Sequence, residues 1–397
     1  MGRLRNRDLT SDNPRGSRHR RRVVVGTGLA GVLGIIGVLA APGAAVASPA
    51  FFSPPYLSHF STVTNVGSTV PANGDLNPYG ITVVPQSVGR LVRGDTLVSN
   101  FNNATNLQGT GTTIVEIAPS GALTTFAELT GALPGRCPGG IGLTTALAVL
   151  PGGWTVVGSL PTSDGMSDTA GAGCLIVLNS VGTPVETWSG GNINGPWDLT
   201  AVSLFGRAAI FVSNVLNGTV ANSRSTVNGG TVVRLDVVLN DGAPPRLVGS
   251  TVVGSGFAER TDPNALVVGP TGLALGVFGQ LYVADTVNSR IAVIPFAAWR
   301  QFPATGGGFT VASRGALDGP LGLVSAPNGN LLAANGGNGN IVEITPFGRQ
   351  VASPQVDPFG AGGDLFGLTI APNGRGVLFV DDGDNTLKLF GPGSPGS

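Results

Sequence analysis

Side chains able to do covalent chemistry are scarce in this chain. It holds two His and two Cys in 397 residues. Downstream of Ser48, where the mature chain is expected to begin, His59 is the one imidazole left. Ser-His-Asp catalysis and His-ligated zinc both need more than a lone His beside a strand. Cys137 and Cys174 can form one disulfide in an oxidising compartment, two free thiols being the alternative. Oxygen ligands are better represented. Asn100/Asn103, Asn214/Asn217, Asp285/Asn288, Asn335/Asn338 and Asp382/Asn385 recur at the same interval, and Ser159/Thr162 breaks the series. An Asx side chain in such a place can accept backbone N–H bonds and hold a turn. The alternative is a ring of ligands for a hard cation such as Ca²⁺, of which one site would use two or three. Asp198, Asn214 and Asp285 are the candidate set, for at most one divalent cation.

The elements that must position these residues form a repeat. Residues 322–335 lie over 272–285 without a gap, and 146–159 fits the same frame. Residues 367–382, 198–214 and 80–100 fit with longer turns, which makes six copies. Each copy reads as an apolar strand, a Gly-containing turn and a second apolar strand ending at 100, 159, 214, 285, 335 or 382. Third strands are expected at 112–117, 174–178, 231–237, 291–294, 341–344 and 386–390. Fourth strands are expected at 124–129, 185–188, 247–253, 309–312 and 350–352. The sixth copy lacks one, and an unpaired candidate at 60–66 can fill the gap and close the ring. The expected fold is all-β: a six-bladed β-propeller of four-stranded antiparallel blades, closed by an N-terminal strand. Four divisions follow: an export signal at 1–47, a segment with the closing strand at 48–74, the propeller at 75–390 and a flexible tail at 391–397.

The motif Gly269-Pro-Thr-Gly272-Leu, followed by Leu281-Tyr-Val-Ala-Asp285 and Asn288-Ser-Arg290-Ile291, resembles the NHL repeat. Gly319-Pro-Leu-Gly322, Asn77-Pro-Tyr-Gly80, Gly195-Pro-Trp197 and Leu365-Phe-Gly367 match it more loosely. The resemblance covers roughly 75–390 and implies a propeller of the NHL and SMP-30/gluconolactonase kind. Such propellers include binding proteins, lyases and lactonases, so the resemblance implies fold more than activity. The histidines of the lyases have no counterpart here. The lactonases place a Glu, an Asn and an Asp around one divalent metal. Asn214 and Asp285 stand at suitable strand ends, but Asp198 is the nearest substitute for the Glu.

The N-terminus reads as an export signal. Arg20-Arg21-Arg22 precedes an apolar run from Val23 to Ala41 and the small residues Ala45-Val46-Ala47. Cleavage before Ser48 is expected, with a retained anchor as the alternative, and the arginines are compatible with twin-arginine export. The expected location is secreted, periplasmic or cell-envelope. The mature chain carries 14 basic and 20 acidic residues, net −6, with Lys388 its one lysine. No basic patch is present, so a nucleic-acid partner is not expected. With 64 Gly, 29 Pro and 11% charged residues, the composition suits many short strands and excludes a coiled coil.

Long connections between second and third strands in copies one to three, at 100–111, 159–173 and 214–229, mark one loop-rich face. A long crossover at 255–268 ends on the same face. Tyr79, Trp197, Asp198 and Phe366 are expected at the rim of its central channel, with packing between blades the alternative for Trp197 and Phe366. Asp198 stands where other copies have Gly or Ala, and as a buried carboxylate it requires a cation, N–H donors or a proton. The sequence therefore points to a monomeric exported module, without evident catalytic groups, that binds a small molecule or an extracellular protein. A metal-dependent lactonase- or esterase-like hydrolase at the channel mouth is the alternative.

Overall fold

A computed structural model of the protein describes residues 54–222, 224–358 and 364–393. The expected signal at 1–47 and the end of the tail lie outside them. Blade one comprises Leu76–Val83, Thr96–Asn102, Thr113–Ile117 and Leu123–Glu128. Blade two comprises Leu143–Leu150, Trp154–Ser159, Cys174–Leu178 and Pro184–Ser189. Blade three begins with Gly195–Leu204, Arg207–Val215, Val227–Asn240 and Ala243–Asp262. Blade four comprises Pro270–Leu275, Leu281–Asp285, Arg290–Ile294 and Phe309–Ser313. Blade five comprises Pro320–Ser325, Leu331–Asn335, Ile341–Ile344 and Gln350–Ala352. Blade six comprises Leu365–Ile370, Val377–Asp381 and Thr386–Gly391, completed by Thr62–Ser68. The protein is a six-bladed β-propeller, and apolar side chains pack between neighbouring blades, as Leu97 and Ile114 do with Leu147 and Val157.

The N-terminal strand closes the ring as expected. Thr64 pairs with Leu389 and Ser68 with Thr386. The turn before it, Tyr56–His59, is anchored as well. The N–H groups of Tyr56 and Leu57 each donate to the buried Glu343 carboxylate at 2.8 Å. Asn328 and Asn330 donate to the same carboxylate at 2.9 and 2.6 Å. Four donors satisfy a charge that would otherwise be costly to bury.

One register recurs in all six blades. The start of the first strand faces the end of the second: Pro78 faces Asn100, Leu143 faces Ser159 and Pro196 faces Asn214. Likewise Pro270 faces Asp285, Pro320 faces Asn335 and Leu365 faces Asp381. A bulge follows at once in every blade. This register moves the sixth copy by one residue: its strand-end residue is Asp381, not Asp382, because its turn near Gly374 absorbs less of the chain than the sequence alignment assumed.

Blade three departs from expectation. Residues 255–268 were expected to be a long crossover. Instead the fourth strand continues to Asp262 and turns back into a fifth, Leu266–Val268. Phe257 and Glu259 alternate inward along this extension, and successive bulges bend it.

Candidate functional site

The recurring bulge decides what lies on the axis. The residue after the strand-opening Pro or Leu is Tyr79 in blade one, Trp197 in blade three and Phe366 in blade six. These blades are not all neighbours, yet their rings meet. Tyr79 stacks on Phe366 with centroids 3.9 Å apart and on Phe101 at 4.6 Å. Trp197 lies 6.2 Å from Tyr79 and 6.5 Å from Phe366. The three are 2%, 2% and 0% exposed. Tyr79 and Phe366 thus pack across the junction of blades one and six, and Trp197 reaches them from blade three across the ring. They form a plug across the channel. The extra hairpin of blade three covers it: Trp197 Nε1 donates to the Val267 carbonyl at 2.9 Å, and Leu266 and Val267 join the same apolar cluster.

Below the plug, first strands of all six blades enclose a cavity of about 220 Å³. Asp198 lies in its wall. The positions matching it are Gly80, Gly272, Gly322 and Gly367, where a Cβ would approach neighbouring backbone or side-chain atoms within 2.4 Å. Asp198 instead clips two blades together. Its carboxylate accepts the N–H of Leu199 at 2.7 Å and the N–H of Leu273, in the next blade, at 3.2 Å. Burial pushes its pKa up to about 8, against the pull of those two donors. The other two expected ligands are engaged within their own surroundings. Asn214 Oδ1 accepts the Asn194 N–H at 3.1 Å. Asp285 is paired with Arg290 at 2.7 Å and accepts two bonds from Asn288. With an arginine on one ligand and the plug over the axis, Asp198, Asn214 and Asp285 do not fit a metal-holding set at the channel mouth.

Some members of the Asx series hold turns, although the side-chain oxygens of Asn100 and Asn335 accept no bond. Asn103 Oδ1 accepts the N–H groups of Thr105 and Leu107, and Asn335 bonds Asn338. Blade two uses other means. Ser159 Oγ accepts the Gly142 N–H, and a Cys137–Cys174 disulfide with Cα atoms 5.3 Å apart staples the adjoining loops.

A second cavity, of about 300 Å³, lies on the loop-rich face at the seam of blades one and six. Blade one supplies Asn77, Asn102, Asn106 and Gln108; blade six supplies Asp364, Asp382 and Asn385; the turn of the extra hairpin supplies Asn264. The wall gathers acceptors, although unpartnered buried oxygens also occur elsewhere, as at Asn100 and Asn335. The buried oxygens Asn77 Oδ1, Asn102 Oδ1 and Gln108 Oε1 meet no donor. Two of these amides are oriented by their other end. Asn102 Nδ2 donates to Asn106 Oδ1 at 2.7 Å, and Gln108 Nε2 to the Pro263 carbonyl at 2.7 Å. Asn77 adopts a left-handed backbone, φ 61°, and its N–H donates to Asn385 Oδ1 at 2.7 Å.

The two carboxylates add to the surplus. Lys388 bonds Asp381 at 2.5 Å and Asp384 at 2.8 Å, whereas Asp364 and Asp382 bond each other. Burial, and next the adjacent Asp364, push Asp382 up to about 8; burial and Asp381 raise Asp364 as well. The pair thus retains a proton at neutral pH, as close carboxyls do. No group of three His, Cys, Asp or Glu residues suited to a metal occurs among the described residues, so any cation here would rely on amide oxygens beside two carboxylates.

The sequence reading singled out Asp382 and Asn385 but overlooked Asn102, Asn106, Gln108 and Asp364. The crowding of Asn100, Asn102, Asn103 and Asn106 was a usable signal. The juxtaposition with blade six was not, because ring closure creates it.

No protein-family model matches the chain, and no curated protein matches its sequence. Solved structures do. One is a structural-genomics target described as a candidate gluconolactonase, with a TM-score of 0.54 at 14% identity, covering 86% of this chain and 99% of that one. A luciferin-regenerating enzyme is similar at a TM-score of 0.51 and 12% identity, covering 83% and 94%. Regucalcin of Agrobacterium tumefaciens, a calcium-binding protein, is similar at 0.50 and 16%, again covering 83% and 94%. At such identities the likeness bears on the fold alone, the six-bladed propeller already described.

Proposed function

We propose that the protein is an exported, non-catalytic binding propeller whose ligand site is the acceptor-rich cavity between blades one and six. The observation that carries this is the set of three orphaned amide oxygens beside the proton-sharing Asp364–Asp382 pair. Such a wall favours a ligand that brings only positive charge or donors. A hard divalent cation, with Ca²⁺ the best match to carboxylate and carboxamide oxygens, meets that demand. The disulfide supports export, since such bonds persist in oxidising compartments.

Calorimetric titration with Ca²⁺ tests the proposal. A cation must displace the proton held by Asp382, so affinity should rise roughly tenfold per pH unit between about pH 6.5 and about pH 8. Asp382→Asn should abolish the heat. Equal binding in wild type and variant would refute the site.

The hydrolase alternative draws support from the likeness to gluconolactonases. Against it stand the plugged mouth and the Arg290 pairing of Asp285.

A further inference from the structure

The opposite face of the propeller has a different character. There lie the turns joining first to second and third to fourth strands. Among the described residues, Phe205, Val277, Phe278, Phe296, Trp299 and Phe302 stand on these turns in blades three and four, each between 64% and 93% exposed. Exposed apolar residues scattered singly need no explanation, but this concentration on one side does.

Their exposure is built into the backbone. The buried Arg234 reaches through blade three to donate to the carbonyls of Ala297 and Arg300, at 3.1 and 2.9 Å. Arg300 in turn donates to the carbonyls of Pro295 and Phe302, both at 2.9 Å. Ala298 N–H bonds the Gly279 carbonyl at 3.0 Å, tying this loop to the turn that bears Phe278. The loop is therefore held with Phe296, Trp299 and Phe302 outward. Phe205 and Phe296 also occupy left-handed turn positions, with φ 49° and 55°, where Gly or Asn would be relaxed. A ring kept at such a position has a use for its side chain.

Charge separates the same way. The connections at this end carry the exposed arginines Arg90, Arg93, Arg207, Arg349 and Arg375 against the exposed Asp241 and the partly exposed Asp95. The mature sequence is net negative, and its acids concentrate on the other face, with Asp364, Asp382 and Asp384 in blade six. A cationic end studded with aromatic tips, on an otherwise anionic molecule, is complementary to a negatively charged bilayer surface. The rings come from three turns, with Trp299 lying against the turn that bears Phe278. Insertion among lipid headgroups accepts that arrangement, whereas a protein interface requires contiguous complementarity.

We infer that this face docks peripherally on an anionic membrane surface, with Trp299 and its neighbouring phenylalanines at headgroup depth and the arginines on lipid phosphates. Docking would leave the acceptor-rich cavity on the far side, open to solvent, and it does not depend on the ligand proposed for that cavity.

The test uses the purified exported protein and phosphatidylcholine vesicles, with and without phosphatidylglycerol, some carrying brominated chains that quench tryptophan. Co-sedimentation should require phosphatidylglycerol and weaken in high salt. Brominated lipid should quench the wild type, and Trp299→Phe should bind equally while losing most of the quenching, the remainder belonging to the half-buried Trp154 beside Phe205. Phe205→Ser with Phe302→Ser, both at highly exposed sites and therefore tolerated by the fold, should weaken partitioning at least about tenfold. Equal binding without phosphatidylglycerol overturns the inference. So does quenching that Trp299→Phe leaves undiminished. Absence of vesicle binding together with self-association that the double variant abolishes would overturn it in favour of a protein interface.

Discussion

Asp198 illustrates how one carboxylate can be reassigned by geometry. In the sequence it is the charged residue of an axial layer otherwise made of small residues, and cation, donors or proton were all open. The structure supplies two backbone donors and enough burial to raise its pKa to about 8. A carboxyl raised in the folded state contributes stability that is complete below the ordinary carboxylate range and is lost as pH rises through about 8. Wild-type protein should therefore melt at lower temperature at about pH 9 than at about pH 6, and Asp198→Asn should reduce that loss. Scanning calorimetry at the two pH values checks this; an identical loss in the variant would mean that Asp198 is not its source.

At the scale of elements, the periodic parts of the chain were legible and the aperiodic ones were not. Six copies of an apolar strand, a Gly turn and a second strand, five of them ending in Asx, marked the blades, and the single unpaired stretch at 60–66 identified the closing strand, observed as Thr62–Ser68. The hairpin ending in Leu266–Val268 escaped because its polar residues lie on a strand that leaves the blade plane, where alternation no longer reports burial in one core. Closure also proved to involve more than the strand. Glu343 gathers two N–H donors from Tyr56 and Leu57 and two amide donors from its own blade. Glu343→Ala would orphan all four, each loss costing about 1–3 kcal/mol before relaxation. A large drop in the urea midpoint is the expected result, and an unchanged midpoint would show that the N-terminal turn contributes nothing to closure.

For the whole molecule, the two faces divide the properties. One end gathers the acids, the acceptor-rich cavity and the hairpin that seals the axis; the other gathers arginines and exposed rings. The cavity was only half legible, because it joins residues near 77–108 to residues near 364–385, and no local pattern announces a contact made by ring closure. The plug bears on the channel mouth, where the repeat makes a site natural to expect: Tyr79 is stacked on Phe366 and cannot leave without opening the core.

The central claim is that the surplus of acceptors at the seam of blades one and six is a cation site. Its most direct test is a crystal structure of the protein grown with Ca²⁺, with anomalous scattering used to place the metal. The account predicts one peak in the cavity, within bonding distance of Asp382 and of at least one of Asn77, Asn102 and Gln108. A peak in the channel beside Asp198, or an empty seam at saturating Ca²⁺, would contradict it.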